Sequence, residues 1–406
     1  MEKFGLIGRT LKHSYSKKIH ALLGDYPYDL YEIEPHELKS FVSCGNLSGF
    51  NVTIPYKKDI MPYLDVIDGD ALKIGAVNTV VKRDGKLFGY NTDFLGMKYM
   101  LSRAGISLFD KKVMILGTGG TSNTAVAVAK SEKAKEIVIV SRFGSVNYQN
   151  CYEHIDTEVI INTTPVGMYP NNYACPIDIT KFKNLLGVAD AIYNPDTTEF
   201  CFKAKGLNIA YTNGLPMLVA QAKYATEKFL NKEISDDAIE KILDKLWGET
   251  LNVVLIGMPG SGKTTIGTAL GILLDREFID TDALIEKKDG RDIPTIFRDS
   301  GEEYFRKLES EVINEVGKLT GKVISTGGGA VKNRDNCFAL KSNGIVFMIE
   351  RDLEKLSRLG RPLSKDSQSV KNLYCERIDN YHYFADYIIE NNGDIDSAVK
   401  GVVDLL

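Results

Sequence analysis

The sequence has little that would tie it to nucleic acid, to a membrane or to an oxidising compartment. Its 50 Lys and Arg residues are outnumbered by 54 Asp and Glu residues, so no excess of positive charge attracts a polyanion. No apolar run is long enough to cross a bilayer. The six cysteines are scattered without a CxxC pair, which argues against a zinc site and against a disulfide framework. We therefore expect a cytoplasmic protein with reduced, buried thiols.

The chain does have an ordinary globular composition, with 44% hydrophobic and 26% charged residues over 406 positions. This length predicts two to four domains. Short apolar runs rich in β-branched residues alternate with helical patterns, which predicts α/β domains with parallel sheets covered on both faces. The clearest runs lie at 3–8, 112–116, 136–140, 252–256 and 344–349.

One boundary stands out along the chain. A charged helical pattern covers about 216–246, and a new apolar run begins at 252. We therefore predict a linker at 248–251, followed by a separate domain at 252–406.

A glycine-rich loop follows the run at 252–256. The segment GMPGSGKTT at 257–265 fits G-x-x-x-x-G-K-[ST] and precedes a helical pattern, which is the context that a phosphate-binding loop requires. Glycines let backbone N–H groups surround phosphate oxygens, the lysine neutralises them, and a threonine hydroxyl binds Mg²⁺. The residues alone leave the phosphate acceptor open, with gluconate or a nucleoside monophosphate as alternatives. The candidate ATP-binding residues are Gly257, Gly260, Gly262, Lys263, Thr264 and Thr265.

Five further motifs follow this loop in order. They are FIDTDALIE at 278–286, SGEEYFRKLE at 300–309, STGGGAV at 325–331, GRPL at 360–363 and ERIDNYHYFAD at 376–386. With them, residues 252–406 resemble shikimate kinase, which implies a P-loop α/β fold. The resemblance implies that Asp282 takes the proton of the acceptor hydroxyl, that Thr264 and Asp280 organise Mg²⁺, and that Arg361 closes over the phosphates from a lid near 356–370. It also implies two arginine clamps for the shikimate carboxylate, Arg306 and Arg377, and three glycines that let the backbone approach its hydroxyls, Gly327, Gly328 and Gly329.

A second glycine-rich turn, GTGGTSN at 117–123, follows the run at 112–116. It is a weak dinucleotide fingerprint, because Gly117 and Gly119 fit G-x-G-x-x-G but Ser122 takes the third place. A plain tight turn is the alternative. Ser141 and Arg142 follow the run at 136–140. An arginine at this place favours the 2′-phosphate of NADP, with a simple cap of the strand end as the alternative. The candidate cofactor-binding residues are Gly117, Gly119, Gly120, Ser141 and Arg142.

Motifs on both sides of this turn resemble shikimate dehydrogenase over about residues 1–246. They are GLIGRTLKHSYSKKIH at 5–20, GFNVTIPYK at 49–57, GAVNTV at 75–80, GYNTDFLG at 89–96, NTTPVGM at 162–168, DAIYNP at 190–195 and NGLPMLVAQA at 213–222. The resemblance implies a substrate-binding lobe at 1–102 with a return segment at 212–247, and a Rossmann NADP-binding lobe at 103–211.

The same resemblance implies an acid–base pair. Lys57 would donate the proton that accompanies hydride transfer to 3-dehydroshikimate, and Asp93 would orient Lys57. Without the resemblance, the alternative for Lys57 is an ordinary surface lysine, and the alternative for Asp93 is an N-cap of the next helix. The implied substrate contacts are Ser14, Ser16, Thr53, Asn78, Tyr193 and Gln221.

Together the two resemblances imply a bifunctional enzyme. It would use NADP(H) to reduce 3-dehydroshikimate to shikimate, and then ATP with Mg²⁺ to phosphorylate the shikimate 3-hydroxyl. The alternatives are that one region is an inactive scaffold or ligand sensor, or that the dehydrogenase acts on quinate. A nucleotide switch without turnover has no need of the motifs that follow the phosphate loop. The product implied for the first region is the acceptor implied for the second, which favours the bifunctional reading.

Overall fold

The computed structural model describes residues 2–11, 15–356 and 367–406. The chain divides into two compact units. The first comprises Met1–Asn194 and Thr198–Lys245, and the second comprises Pro195–Thr197 and Leu246–Leu406. No helix within the described ranges combines the length and apolar character needed to cross a membrane.

The first lobe of the first unit is built on a six-stranded sheet with the order β2-β1-β3-β5-β6-β4. Its strands are β1 (Phe4–Gly8), β2 (Tyr28–Glu32), β3 (Gly49–Val52), β4 (Val66–Ile67), β5 (Thr79–Arg83) and β6 (Lys86–Tyr90). Its helices are α1 (Ser16–Leu23), α2 (Leu38–Cys44), α3 (Gly69–Ile74) and α4 (Thr92–Arg103).

This sheet is mixed, whereas we expected parallel sheets. Strand β5 pairs antiparallel with both β3 and β6, and the other pairs are parallel. Only Asp84 and Gly85 connect β5 to β6, which is too short for a parallel crossover. Both residues have positive φ, 48° and 76°, as a tight hairpin turn requires.

The second lobe has a fully parallel five-stranded sheet with the order β11-β10-β9-β7-β8. Its strands are β7 (Lys112–Leu116), β8 (Glu136–Val140), β9 (Val159–Asn162), β10 (Gly187–Asp190) and β11 (Ala210–Thr212), and its helices are α5 (Gly120–Ser131) and α6 (Glu199–Gly206). Successive residues of β7 point into two different cores, because side chains alternate across a strand. The strand order reverses between β7 and β9, which is where open α/β sheets bind their ligands.

The return segment contains two helices where we expected one continuous helical stretch, α7 (Leu215–Leu230) and α8 (Asp237–Thr250). Helix α7 ends at Asn231, which adopts the left-handed conformation of a C-cap. Residues 248–250, expected as part of a linker, form the end of α8. Ile239, Ile242 and Leu243 are buried at helical spacing, as an amphipathic helix requires, and the helix itself extends to Thr250.

The second unit has a parallel five-stranded sheet with the order β13-β14-β12-β15-β16. Its strands are β12 (Asn252–Ile256), β13 (Phe278–Asp280), β14 (Val323–Ser325), β15 (Gly344–Glu350) and β16 (Tyr387–Glu390). Its helices are α9 (Lys263–Leu273), α10 (Thr281–Asp289), α11 (Ile293–Val316, interrupted at Gly301), α12 (Asp335–Lys341), α13 (Ser367–Phe384) and α14 (Ile395–Val403). The glycine loop follows the central strand, so the expected P-loop α/β architecture is confirmed.

All six cysteines lie among the described residues, and none of them forms a disulfide. Cys151, Cys201 and Cys337 are buried, but Cys44 and Cys375 are exposed. The expectation of buried thiols is therefore wrong for these two, which lie on solvent-facing positions of α2 and α13.

Candidate active sites

Lys57 and Asp93 form an ion pair in the first unit. The Lys57 Nζ lies 2.6 Å from Asp93 Oδ2, and the two side chains are only 21% and 13% exposed. Lys57 stands in the turn that follows β3, and Asp93 lies in the first turn of α4. The N-cap of α4 is Asn91, whose side chain accepts from the Phe94 N–H at 3.1 Å. The alternative of Asp93 as the cap is therefore wrong, and its carboxylate remains available to Lys57.

Asn78 holds the second oxygen of Asp93. Its Nδ2 donates to Asp93 Oδ1 at 2.9 Å, and its Oδ1 accepts from the Thr92 N–H at 2.7 Å. Asn78 is buried, so these bonds are shielded from water. The Asp93 carboxylate is thus oriented on one side by an amide and on the other by the Lys57 ammonium. This arrangement can hold a proton at Nζ and present it to a substrate oxygen.

A cavity of about 370 Å³ contains this pair. It brings together most of the residues implied as substrate contacts, and Ser14 lies outside the described residues. The expected residues that line it are Ser16, Thr53, Lys57, Asn78, Asp93, Tyr193 and Gln221. Burial raises the pKa of the Tyr193 phenol, with a smaller contribution from Tyr15.

The sequence reasoning missed Asn51, which also lines this cavity. Asn51 is buried on β3, where its Nδ2 donates to Thr79 Oγ1 at 3.1 Å and its Oδ1 accepts from the Tyr28 hydroxyl at 2.8 Å. A polar residue inside an otherwise buried strand is the signal that could have identified it.

The glycine turn after β7 has the geometry of a dinucleotide loop. Gly117 has φ +108°, and a Cβ there would lie 2.9 Å from Thr163 Oγ1. Ser122 is buried, and its Oγ donates to the Gly117 carbonyl at 2.7 Å, so the departure from the glycine fingerprint ties the helix to the turn. A Cβ on Gly119 or Gly120 would meet no atom within 4 Å, which leaves the N-terminus of α5 accessible to phosphate.

Ser141 and Arg142 follow β8 at the same edge of the sheet. The Ser141 N–H donates to the Val146 carbonyl at 3.1 Å. The Arg142 side chain is exposed, and its guanidinium lies 5.9 Å from the Phe143 ring centroid. An exposed guanidinium at this strand end fits a nucleotide that carries an additional phosphate.

The phosphate loop of the second unit depends on glycine at three positions. Gly257, Gly260 and Gly262 all have positive φ, between 87° and 144°, a region that other residues rarely adopt. The Lys263 Nζ donates to the carbonyls of Gly257 and Met258 at 2.9 and 3.0 Å. The amine is therefore held against the loop that would surround the phosphates.

Two oxygen ligands for Mg²⁺ stand beside this loop. The Thr264 hydroxyl donates to Asp280 Oδ2 at 3.1 Å, while Asp280 Oδ1 caps α10 through the Asp282 N–H. A hydroxyl and a carboxylate are the donors that Mg²⁺ prefers when phosphates complete its coordination, so these residues fit the ion. Thr265, the other expected threonine, is exposed on α9.

The acceptor side of this site is a cavity of about 670 Å³. Its walls include the phosphate loop together with all of the expected acceptor residues that the structure describes; Arg361 lies outside the described residues. Those acceptor residues are Asp282, Arg306, Gly327, Gly328, Gly329 and Arg377.

The three consecutive glycines each permit a close contact with another residue. A Cβ on Gly327 would lie 2.5 Å from Asp282 Oδ1, and one on Gly328 would lie 2.7 Å from the Pro259 ring. A Cβ on Gly329 would lie 2.6 Å from Arg306 Cζ. We expected these glycines to serve the approach of substrate, and the structure adds that they make room for the side chains that line the site.

Two charged side chains of this cavity, Asp282 and Arg377, are held in buried surroundings. Burial raises the pKa of Asp282 to about 6, and the neighbouring Asp280 carboxylate adds to the rise. Arg377 is buried, donates through Nη1 to the Gly328 carbonyl at 3.0 Å, and has no hydrogen-bond partner for Nε among the described residues. A buried guanidinium with an unpartnered Nε fits an anionic ligand.

Glu309 was not predicted as a site residue, although it lies three positions after Arg306 on α11. Its Oε2 accepts from Arg306 Nη1 at 2.8 Å, and burial raises its pKa to about 7. Glu302 also accepts from Arg306, at 3.2 Å. The i, i+3 and i, i+4 spacings are the signal that links these residues in the sequence.

Comparisons with known proteins identify both regions. A family model described as the shikimate dehydrogenase substrate binding domain matches residues 6–80, and one described as shikimate kinase matches residues 259–406. The shikimate dehydrogenase (NADP(+)) of Clostridium beijerinckii is 39% identical over 246 residues, which cover 56% of this chain and 91% of that protein. The chain belongs to the shikimate dehydrogenase family. It also carries a shikimate kinase domain, so both resemblances seen in the sequence are confirmed.

Solved structures agree with the dehydrogenase assignment. A chorismate mutase/shikimate 5-dehydrogenase fusion protein from Clostridium acetobutylicum superposes with a TM-score of 0.59 at 34% identity, covering 61% of this chain and 97% of that chain. The shikimate 5-dehydrogenase of Thermus thermophilus, solved with NADP(H) and shikimate, gives a TM-score of 0.55 at 25% identity, covering 60% of this chain and 99% of that chain.

Proposed function

We propose that this chain is a bifunctional enzyme that reduces 3-dehydroshikimate to shikimate with NADPH and phosphorylates shikimate at its 3-hydroxyl with ATP. The observation that carries the proposal is that each unit gathers its proton-handling and charge-handling groups in one cavity. These groups are Lys57 and Asp93 in the first unit and Lys263, Asp282 and Arg306 in the second. A region retained only as a scaffold or sensor has no need of them.

In the dehydrogenase reaction, this chain supplies the proton donor and the groups that orient it. When bound, NADPH supplies a hydride to the ketone carbon. The Lys57 ammonium donates its proton to the ketone oxygen and stabilises the negative charge that develops there. Asp93 holds the ammonium at 2.6 Å, and Asn78 prevents the carboxylate from rotating away. The neutral Lys57 that remains is reprotonated before the next turnover.

In the kinase reaction, the shikimate 3-hydroxyl oxygen forms a bond to the γ-phosphorus while the bond to the β–γ bridging oxygen breaks. With a pKa of about 6, Asp282 is ionised at neutral pH and accepts the hydroxyl proton. Arg306 and Arg377 bind the shikimate carboxylate, and Lys263 neutralises the phosphates. Thr264 and Asp280 would hold Mg²⁺, which would offset the negative charge that develops on the departing ADP.

The finer assignments have separate support. The exposed Arg142 and the NADP(+) in the names of the curated relatives favour NADPH over NADH. A shikimate kinase domain in the same chain favours shikimate over quinate as the dehydrogenase product. The exposed, free Cys44 and Cys375 are suited to the reducing cytoplasm.

The experiment uses the full chain with 3-dehydroshikimate, NADPH and ATP-Mg²⁺. Nicotinamide absorbance and shikimate 3-phosphate are followed together, and both reactions should proceed. NADPH oxidation without any phosphorylated product would leave only the dehydrogenase assignment.

Two lysine variants separate the sites. Lys57→Met should reduce the dehydrogenase kcat by about 10²- to 10⁴-fold and spare the phosphorylation of added shikimate. Lys263→Ala should do the reverse. The exposed Lys58 and Lys287 provide matched controls, as Lys58→Met and Lys287→Ala. Loss of both activities from either active-site variant, in folded protein, would contradict two separate sites.

A further inference from the structure

A buried carboxylate that the mechanism above does not use ends strand β10. Asp190 is fully buried; its Oδ1 accepts from Asn162 Nδ2 at 3.0 Å and from the Ile192 N–H at 3.1 Å, and its Oδ2 accepts from Thr198 Oγ1 at 2.7 Å. These donors are all neutral, and Asp190 forms no ion pair within the part of the chain that the structure describes. Burial raises its pKa to about 7. Such a group is costly to bury, so a purely structural position would be expected to hold an apolar residue.

One bond of Asp190 reaches the wall of the substrate cavity. The Ile192 N–H that it accepts belongs to the turn that carries Ala191 and Tyr193, both of which line the dehydrogenase cavity. On the other side of this turn, the Ile192 carbonyl accepts from the Gly214 N–H at 2.8 Å. A Cβ on Gly214 would collide with the Ala191 carbonyl, so the backbone at the start of α7 lies directly against this turn. The segment 191–193 is therefore fixed from both sides.

A second bond of Asp190 leads to the glycine turn. Asn162 ends β9 and is fully buried; its Oδ1 accepts from the backbone N–H of Thr164 at 3.0 Å and from the Thr164 hydroxyl at 2.7 Å. The adjoining Thr163 packs against Gly117 so closely that a Cβ on Gly117 would lie 2.9 Å from Thr163 Oγ1. Asn162 thus connects the Asp190 carboxylate to the turn expected to bind the dinucleotide.

We propose that Asp190 is a positioning residue for the dehydrogenase reaction. Its carboxylate fixes the position of the Tyr193 wall of the substrate cavity relative to the glycine turn at 117–123, which is expected to bind the cofactor. The proposal rests on the proposed dehydrogenase function. Hydride transfer needs the two ligands within a fraction of an ångström of their reactive geometry, and a misplacement of about 1 Å costs about 10²-fold in rate. Asp190 acts through Ile192 and Asn162 and contacts neither ligand itself.

The proposal predicts different kinetic effects for the two members of this pair. Asp190→Ala removes both connections and should lower the dehydrogenase kcat/KM about 10²-fold, with higher KM values for both NADPH and 3-dehydroshikimate. Asn162→Ala leaves the Ile192 bond in place, so it should raise the KM for NADPH about tenfold and leave that for 3-dehydroshikimate within about twofold. Asp190→Asn keeps the oxygen that accepts from Ile192 and Asn162, and should restore kcat/KM to within about fivefold of wild type.

Two controls run in the same preparations. Phosphorylation of added shikimate by the kinase domain should be unchanged in every variant. Asp178→Ala is the matched control. Asp178 belongs to the same lobe, and its Oδ1 accepts from the N–H and the hydroxyl of Thr180. If Asp190→Ala does not fold, Asn162→Ala still decides, because a purely structural role would not separate the two KM values.

Wild-type kinetics in Asp190→Ala, or equal KM changes for both ligands in Asn162→Ala, would overturn the proposal. If the wild-type chain itself does not reduce 3-dehydroshikimate, the proposed function fails first. The affinity for NADPH, measured by nicotinamide fluorescence, then tests the positioning role without turnover. A tenfold weaker affinity in Asn162→Ala supports this role, and an unchanged affinity refutes it.

Discussion

Replacing Gly329 by alanine tests the acceptor side of the kinase site. Gly329 has φ −103° and ψ −1°, which any residue can adopt, so the added methyl group strains no backbone. Its carbon would nevertheless lie 2.6 Å from Arg306 Cζ, and closer still to the two terminal nitrogens. Comfortable van der Waals contact needs about 3.5 Å, so the guanidinium has to move by roughly 1 Å.

This displacement should affect substrate binding far more than stability. Arg306 is a long side chain, and its guanidinium can shift by this amount while its bonds to Glu309 at 2.8 Å and Glu302 at 3.2 Å lengthen. It then no longer meets the substrate carboxylate in the paired geometry of a guanidinium clamp. A misplacement of about 1 Å corresponds to about 10²-fold in kcat/KM, or about 2.7 kcal/mol.

Initial rates with varied shikimate and with varied ATP measure the effect. We expect the KM for shikimate to rise up to about 10²-fold and that for ATP to stay within about twofold. The control is Gly248→Ala, since a Cβ on Gly248 meets no atom within 4 Å. If Gly329→Ala leaves the KM for shikimate unchanged in a kinase domain shown by calorimetry to be folded, Arg306 does not bind the carboxylate and this reasoning is refuted.

Two further predictions concern protonation and cofactor choice. Because burial raises the pKa of Asp282 to about 6 and the ionised form must accept the hydroxyl proton, kinase kcat/KM should fall about tenfold per pH unit below 6 and level off above it; a flat profile between pH 5 and 8 would contradict this role. Arg142→Asp should raise the KM for NADPH at least about tenfold while that for NADH stays the same or falls, as initial rates with each cofactor will show; equal changes would mean that Arg142 does not meet the 2′-phosphate.

The glycine turns were predictable because their signals are local. A strand, a turn and a helix lie consecutively in the sequence, so the motifs at 117–123 and 257–265 carry their own structural context. The direction of β5 was missed, although the Asp84-Gly85 pair is a typical hairpin signal. The break between α7 and α8 was missed because the charged pattern continues on both sides of Asn231.

The partners of the predicted residues could not be read from the sequence in the same way. Asn78 reaches Asp93 across 15 positions, and Asp190 reaches Asn162 across 28, through strand pairings that no local pattern specifies. The motifs therefore name the groups expected to contact the ligands. The buried amides and carboxylates that hold those groups become visible only once the sheets are assembled.

The hold of the phosphate loop on Lys263 has a consequence for nucleotide affinity. The Lys263 Nζ already donates to two carbonyls, and the residue is 8% exposed, so most of the roughly 2 kcal/mol of side-chain conformational entropy is lost during folding. When a triphosphate binds, the Lys263 ammonium exchanges the neutral carbonyl oxygens of Gly257 and Met258 for charged phosphate oxygens. The ammonium is therefore already ordered before ATP binds, and less of the binding free energy is offset by the loss of side-chain entropy.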